Sequence, residues 1–168
     1  PFHDPLVKRL FLLNIESLAS ILGLNAPGSG AAAADDMMVW FRNLGFLEQP
    51  EFIAAMGRYA TDPILCARIW RVYTLCWATK SCIALDGDFV DLGCYDGKTV
   101  EVMERYCHFR SIAKTWWLYD IFENPPEESR KSGHGPQLFD QVRGVFEPLG
   151  NFRVIKGAVP DSFQQGLP

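Results

Sequence analysis

The chain has no Cys-x-x-Cys pair and no cysteine spacing that suits a metal. Its five cysteines (Cys66, Cys76, Cys82, Cys94, Cys107) are odd in number and form no framework. That excludes a disulfide-stapled scaffold and predicts free thiols in a reducing cytoplasm. A surplus of positive charge is also lacking: 16 Lys and Arg stand against 20 Asp and Glu, for a net charge of −4. The basic residues are scattered, so the footprint of a nucleic-acid-binding surface is missing. No long clean apolar run exists either. The best stretch, Leu6 to Leu24, is interrupted by Lys8, Arg9, Asn14 and Glu16 and is followed by no small-residue cleavage site, so neither a membrane span nor a secretory leader is expected. No internal repeat is visible, and histidine is scarce, with only His3, His108 and His134.

What is present is enough apolar material, 48% of 168 residues, for one domain with a real core. The pattern divides it into two parts. Residues 1–87 read as helical. Leu6, Leu10, Leu13, Ser17 and Ile21 share a helical face that Leu12, Ile15, Leu18 and Leu22 widen, and Gly23 ends it. A flexible break follows at Pro27-Gly28-Ser29-Gly30. A short helix is expected within Ala31 to Phe46 and another from Pro50 to about Tyr59. Asp62 followed by Pro63 is an N-cap with proline in the first helical position, and predicts a helix from Pro63 to about Ile83. On it lie Ile69, Trp70, Tyr73, Cys76 and Trp77. Their helical spacing, like the strand spacing of Trp116 and Trp117, assigns these aromatics to the core.

Residues 88–168 alternate strand and helix. Strands are predicted at Phe89–Leu92, Thr115–Tyr119 and Phe152–Lys156, and helices at Thr99–Phe109 and Pro136–Leu149, with a polar loop over Asn124–Gly135. Strand-helix-strand-helix-strand implies an α/β fold. It is the first half of a doubly wound, Rossmann-like parallel sheet, preceded by an N-terminal helical cap.

The chemistry concentrates at the strand ends. Asp-Phe-Val-Asp-Leu-Gly-Cys-Tyr-Asp-Gly-Lys-Thr (88–99) is a strand, a tight glycine turn and a helix start in succession. Gly93 and Gly97 let backbone N–H groups face a ligand, and Asp91 is a carboxylate where a buried strand prefers Val. Asp91 either bonds the N–H groups of the turn or holds a ligand's amino group. Lys98 and Thr99 after Gly97 suggest a phosphate loop, but only three residues separate the glycines and that loop needs four. Asp120 ends the second strand, 29 residues beyond Asp91. It either caps the next turn or accepts hydrogen bonds from a ribose diol, and the preceding glycine turn favours the diol. Gly157 and Ala158 follow the third strand, where small residues leave room for a flat base, or else form a plain turn with Asp161 as a cap. His134, between two glycines in the polar loop, is placed to move over a ligand; His108 is expected at a helix surface.

The order Asp-x-Gly-x-x-x-Gly at 91–97 resembles the first motif of class I S-adenosylmethionine (SAM) methyltransferases, with Tyr95 in place of the middle glycine. With Tyr-Asp-Ile-Phe-Glu-Asn-Pro-Pro (119–126) and Val-Ile-Lys-Gly-Ala-Val-Pro-Asp-Ser-Phe (154–163), the chain resembles the macrocin O-methyltransferase family. The resemblance implies a SAM-dependent O-methyltransferase whose cofactor site draws on Asp91, Gly93, Cys94, Tyr95, Gly97, Thr99, Asp120, Ile121, Phe122, Gly157 and Ala158. It implies a small-molecule hydroxyl acceptor, such as a sugar of a natural product or glycan. It also implies a divalent metal, usually magnesium, whose ligands belong with the catalytic base to a part of the family fold beyond the third strand. On that reading the chain is a fragment, inactive alone, whose first strand is an open edge that could pair in a homodimer. The alternatives are the dinucleotide-binding half of an NAD-type oxidoreductase, which Tyr95 opposes by blocking close approach of a pyrophosphate, and a non-catalytic nucleotide-binding or assembly module.

Overall fold

Alternating apolar runs and turn residues fold into a small parallel sheet backed by helices, described by a computed structural model for residues 30–34, 37–42, 45–123 and 134–166, with side chains from residue 45 onward. The expected helix at 6–23 lies outside these residues. The helix expected within 31–46 is not formed. In its place stand two antiparallel strands, β1 (Gly30–Ala34) and β2 (Met37–Arg42), in register from Gly30↔Arg42 to Ala34↔Met37 with an irregularity between Gly30 and Ala32. Val39, Trp40 and Phe41 account for the difference, because β-branched and aromatic side chains are restricted on a helix and favoured on a pleated strand.

Helix α1 (Pro50–Met56) starts with proline where a missing N–H does no harm. Helix α2 (Pro63–Ala67) starts at the expected cap: Asp62 Oδ1 accepts the N–H groups of Ile64 at 2.9 Å and Leu65 at 3.1 Å. The single helix expected from Pro63 to Ile83 is interrupted at Arg68 (φ −117°, ψ 26°) and resumes as α3 (Ile69–Cys82). The inward face of α3 is Val72, Cys76 and Thr79 at i, i+4, i+7, in helical phase with the buried Leu65 of α2. Trp70 and Tyr73 flank that stripe and pack against Phe46 and Phe52, whereas Trp77, expected in the core, is 60% exposed.

The second part follows the predicted order: β3 (Phe89–Leu92), α4 (Lys98–Cys107), β4 (Trp116–Asp120), α5 (Leu138–Phe146) and β5 (Phe152–Lys156). The three strands form one parallel sheet in the order β3-β4-β5, with Phe89, Trp116 and Phe152 in one row and Leu92, Tyr119 and Ile155 in another. This is a mixed α/β architecture with a three-stranded parallel sheet. Rings from strands and crossovers build the central core, where Phe109, Trp116 and Phe152 pack on one another and Phe146 packs on Phe152.

Helix α4 is buried on more than one side. It packs against the sheet and against α1 and α3, so Val100 to Glu104 are buried without a break. Two of these are glutamates, and each is paired. Arg110 forks onto Glu104 at 2.7 and 3.0 Å, and Glu101 takes Arg58, Arg105 and the Tyr59 hydroxyl. A buried carboxylate is tolerated on such terms, because charged donors meet its oxygens. Those bonds tie the helical region to the first crossover helix and make the two parts share one core.

Candidate functional site at the strand ends

The carboxyl ends of β3, β4 and β5 meet around one carboxylate, Asp120. Both of its oxygens accept backbone N–H groups: Oδ2 from Tyr95 at 2.8 Å and Oδ1 from Phe122 at 2.7 Å. Its own carbonyl accepts the N–H of Gly157 at 2.9 Å. One residue therefore gathers the loops that follow all three strands. Tyr95 (φ 50°) and Phe122 (φ 56°) both sit in left-handed conformations that non-glycine residues rarely adopt. The bonds from Asp120 hold them there. The third such residue, His108 (φ 52°), only closes α4 and is exposed, as expected.

The capping reading of Asp120 is thus realised, and it extends to the glycine turn. That turn is held further by Tyr119, whose carbonyl accepts the N–H groups of Gly93 at 2.7 Å and Cys94 at 3.4 Å. Asp91 is left free of this work. Its partly buried carboxylate has no hydrogen-bond or ion-pair partner among the described residues. Burial, and then the nearby Asp120, push its pKa above the usual carboxylate range. Burial, then Asp120 and Asp91, raise the Cys94 thiol as well, which favours its neutral form.

The two glycines of the motif differ in what they allow. A Cβ on Gly97 (φ +71°) would stand 2.6 Å from the ring of Phe146, so this glycine lets α5 close on the start of α4. A Cβ on Gly93 (φ +88°) would meet nothing within 4 Å. Gly93 is the open point of the turn. Gly157 (φ +151°) is tight again, with the Ser162 Cβ at 3.0 Å from such a group, so its small size serves the packing of the turn after β5. Asp161, a possible cap there, makes no capping bond.

The other proposed residues divide. Gly93, Ile121 and Ala158 are exposed at the strand ends, while Tyr95 and Thr99 are half-buried. The Phe122 ring is fully buried against Phe139, which leaves only its backbone for a ligand. Lys98 is held away, its Nζ 2.9 Å from Asp62 and 3.3 Å from Asp96, and those bonds raise its pKa. Asp62 had been legible only as a helix cap. His134 is brought to the strand ends: its ring packs on Tyr95 at 4.8 Å between centroids, and its Nε2 lies 3.8 Å from Asp120 Oδ1.

The arrangement is a pair of neighbouring carboxylates, one bound to backbone and a second without a donor among the described residues, beside the open backbone of Gly93. Carboxylate oxygens accept hydrogen bonds from ammonium groups and hydroxyls, which is the chemistry such a pair can offer. A separate cavity of about 450 Å³ runs along the β5 edge, lined by Trp117, Phe152, Arg153, Val154, Ile155 and others, and includes none of these groups. Among the described residues there is no group of three or more His, Cys, Asp or Glu side chains that could hold a metal ion. Among them, too, no helix is long and apolar enough to cross a membrane. Compared with protein-family models, curated proteins and solved structures, the chain matches none.

Proposed function

We propose that the chain binds S-adenosylmethionine at the carboxyl ends of β3, β4 and β5 and is the cofactor-binding part of an O-methyltransferase with a Rossmann-like sheet. The observation that carries this reading is Asp91: a partly buried carboxylate without a donor among the described residues, beside Asp120 and next to the unobstructed Gly93. A carboxylate in that state is stabilised by a ligand cation, and the methionine portion of the cofactor carries an ammonium. The residues present therefore fit the group.

Asp91 would hold the ammonium, and the open backbone at Gly93 would admit the methionine portion. Each oxygen of Asp120 accepts one backbone N–H, and the lone pairs that remain would accept ribose hydroxyls. When bound, the cofactor supplies an electrophilic methyl group on a sulfonium. What this chain contributes is binding and orientation, with the strained turn at Tyr95 and Phe122 fixed in advance of the ligand. A sugar hydroxyl as acceptor, and a homodimer, rest on the family resemblance and on the open β3 edge.

The carboxylate pair weighs against the NAD-type reading more directly than Tyr95 does, because a pyrophosphate would bring two further negative charges to an unpaired carboxylate. Isothermal titration of the whole chain decides between them. Binding of SAM and S-adenosylhomocysteine with no heat from NAD is the expected result. NAD binding without a response to either adenosyl ligand would overturn the proposal.

A further inference from the structure

We infer that His134 is a second binding residue at these strand ends, sharing with Asp120 the recognition of a ligand's vicinal diol; the inference rests on the strand ends being a nucleoside site. Asp120 alone is poorly supplied for that task. One backbone N–H already occupies each of its oxygens, at 2.8 and 2.7 Å, and the residue is only 8% exposed. An ionised carboxylate offers about four acceptor positions in all, so the diol meets a partly committed group.

His134 stands where the complement is needed. Its Nε2 is 3.8 Å from Asp120 Oδ1, too far for a direct hydrogen bond. The separation is right for one oxygen to lie within hydrogen-bond range of both atoms at once, on two legs of about 2.8 Å. A neutral imidazole can donate to or accept from a hydroxyl, which a carboxylate cannot do in both senses. The ring is also held in place. It packs on Tyr95 at 4.8 Å and 41°, and Tyr95 is itself fixed by its backbone bond to the same carboxylate. Tyr95, Asp120 and His134 thus form one connected group, joined through a loop residue that sequence spacing would not connect to either strand end.

The competing explanation is an ion pair that merely steadies the loop, and ligand discrimination separates the two. The full chain, His134→Ala and His134→Gln are titrated with S-adenosylhomocysteine and with its 2′-deoxyribose counterpart, and the melting temperature of each unliganded protein is recorded. The wild type is expected to prefer the ribose ligand by about 10-fold or more, the ratio that the loss of one well-made hydrogen bond produces. His134→Ala is expected to lose about 10-fold in affinity for the ribose ligand and little for the deoxy ligand, at an unchanged melting temperature. His134→Gln, which keeps a donor and an acceptor, is expected to retain most of the preference. Equal losses for both ligands, no loss for either, or a wild type indifferent to the hydroxyl would overturn the role of His134 while leaving the cofactor reading in place. A wild type that binds neither ligand would overturn both.

Discussion

Asp91 and Asp120 are the same residue type one strand apart, and their surroundings give them opposite duties. Asp120 holds backbone, so replacing it disturbs the loops as well as any ligand. Asp91 holds nothing among the described residues, and its pKa is raised by burial and by Asp120. A raised carboxylate pKa means that the folded chain keeps its proton to higher pH than the unfolded chain does. Stability from Asp91 is therefore present at low pH and is lost as pH rises through the raised pKa. The opposite holds for Asp62 and Asp88. Lys98 first, then backbone N–H groups, depress Asp62; the Thr115 N–H, then the Trp117 indole, depress Asp88. Their contribution is present above the ordinary carboxylate pKa and is lost as pH falls through the lowered ones. Asp91→Asn should consequently raise the unliganded melting temperature at neutral pH by roughly 2–4 °C, the shift that about 1 kcal/mol gives a chain of this size. It should bring no gain near pH 3, where both states are protonated. The same variant should weaken SAM binding by about 10-fold or more, since a charge-assisted bond is lost. Calorimetry across pH with titration of both proteins checks this, and a destabilised variant that still binds would show that Asp91 has a structural role instead.

At the scale of elements, the strand-turn-helix unit from β3 to α4 contains two glycines whose substitution should be felt differently. Gly97→Ala puts a methyl into the Phe146 ring in a left-handed backbone, combining conformational strain with overpacking. It should destabilise the protein by about 2–4 kcal/mol. Gly93→Ala meets no atom within 4 Å and carries only the conformational penalty, about 1–2 kcal/mol. Yet it places a methyl beside the two carboxylates, so its loss in ligand affinity should exceed its loss in stability. Chemical denaturation paired with ligand titration separates the two effects. If Gly93→Ala bound SAM as the wild type does, the ligand would not approach the turn from that side. The contrast could not be read from the motif, in which the two glycines look equivalent; it depends on where α5 packs.

For the molecule as a whole, the sheet is asymmetric. One face is sealed by α4 and α5, while on the other Val90 is 43% and Leu92 54% exposed. Among the described residues, the turn after β5 covers the far side of that face, where Tyr119 donates to the Gly166 carbonyl and packs on Phe163. Among the described residues, β3 has a strand partner on its β4 side alone. An apolar strand edge of this kind invites pairing with another chain. The purified 168-residue chain should therefore self-associate in a concentration-dependent way, and Leu92→Lys should shift it toward the monomer without lowering its melting temperature. Light scattering over a range of concentrations tests this. A wild type that stays monomeric at high concentration would show that the β3 edge is covered.

The sequence by itself determined the elements whose signals are local. The Asp62-Pro63 cap, the alternation of strands and crossover helices after residue 88, and the boundaries of β3 and β5 follow from capping chemistry and hydrophobic period, and neighbours only reinforce them. It also marked Asp91, Asp120 and the glycine turn as unusual for strand ends. Where packing outweighs local preference, the sequence was silent or misleading. Alanines at 31–34 suggested a helix, yet they pair with Met37–Arg42 as strands, and Trp77, on a helix whose buried stripe is Val72, Cys76 and Thr79, faces outward. Only the tertiary structure decided which carboxylate binds backbone and which stays free, because that depends on how the loops after β3 and β4 cross in space. The same crossing puts His134 beside Asp120, a proximity across the end of a sheet that no spacing along the chain can encode.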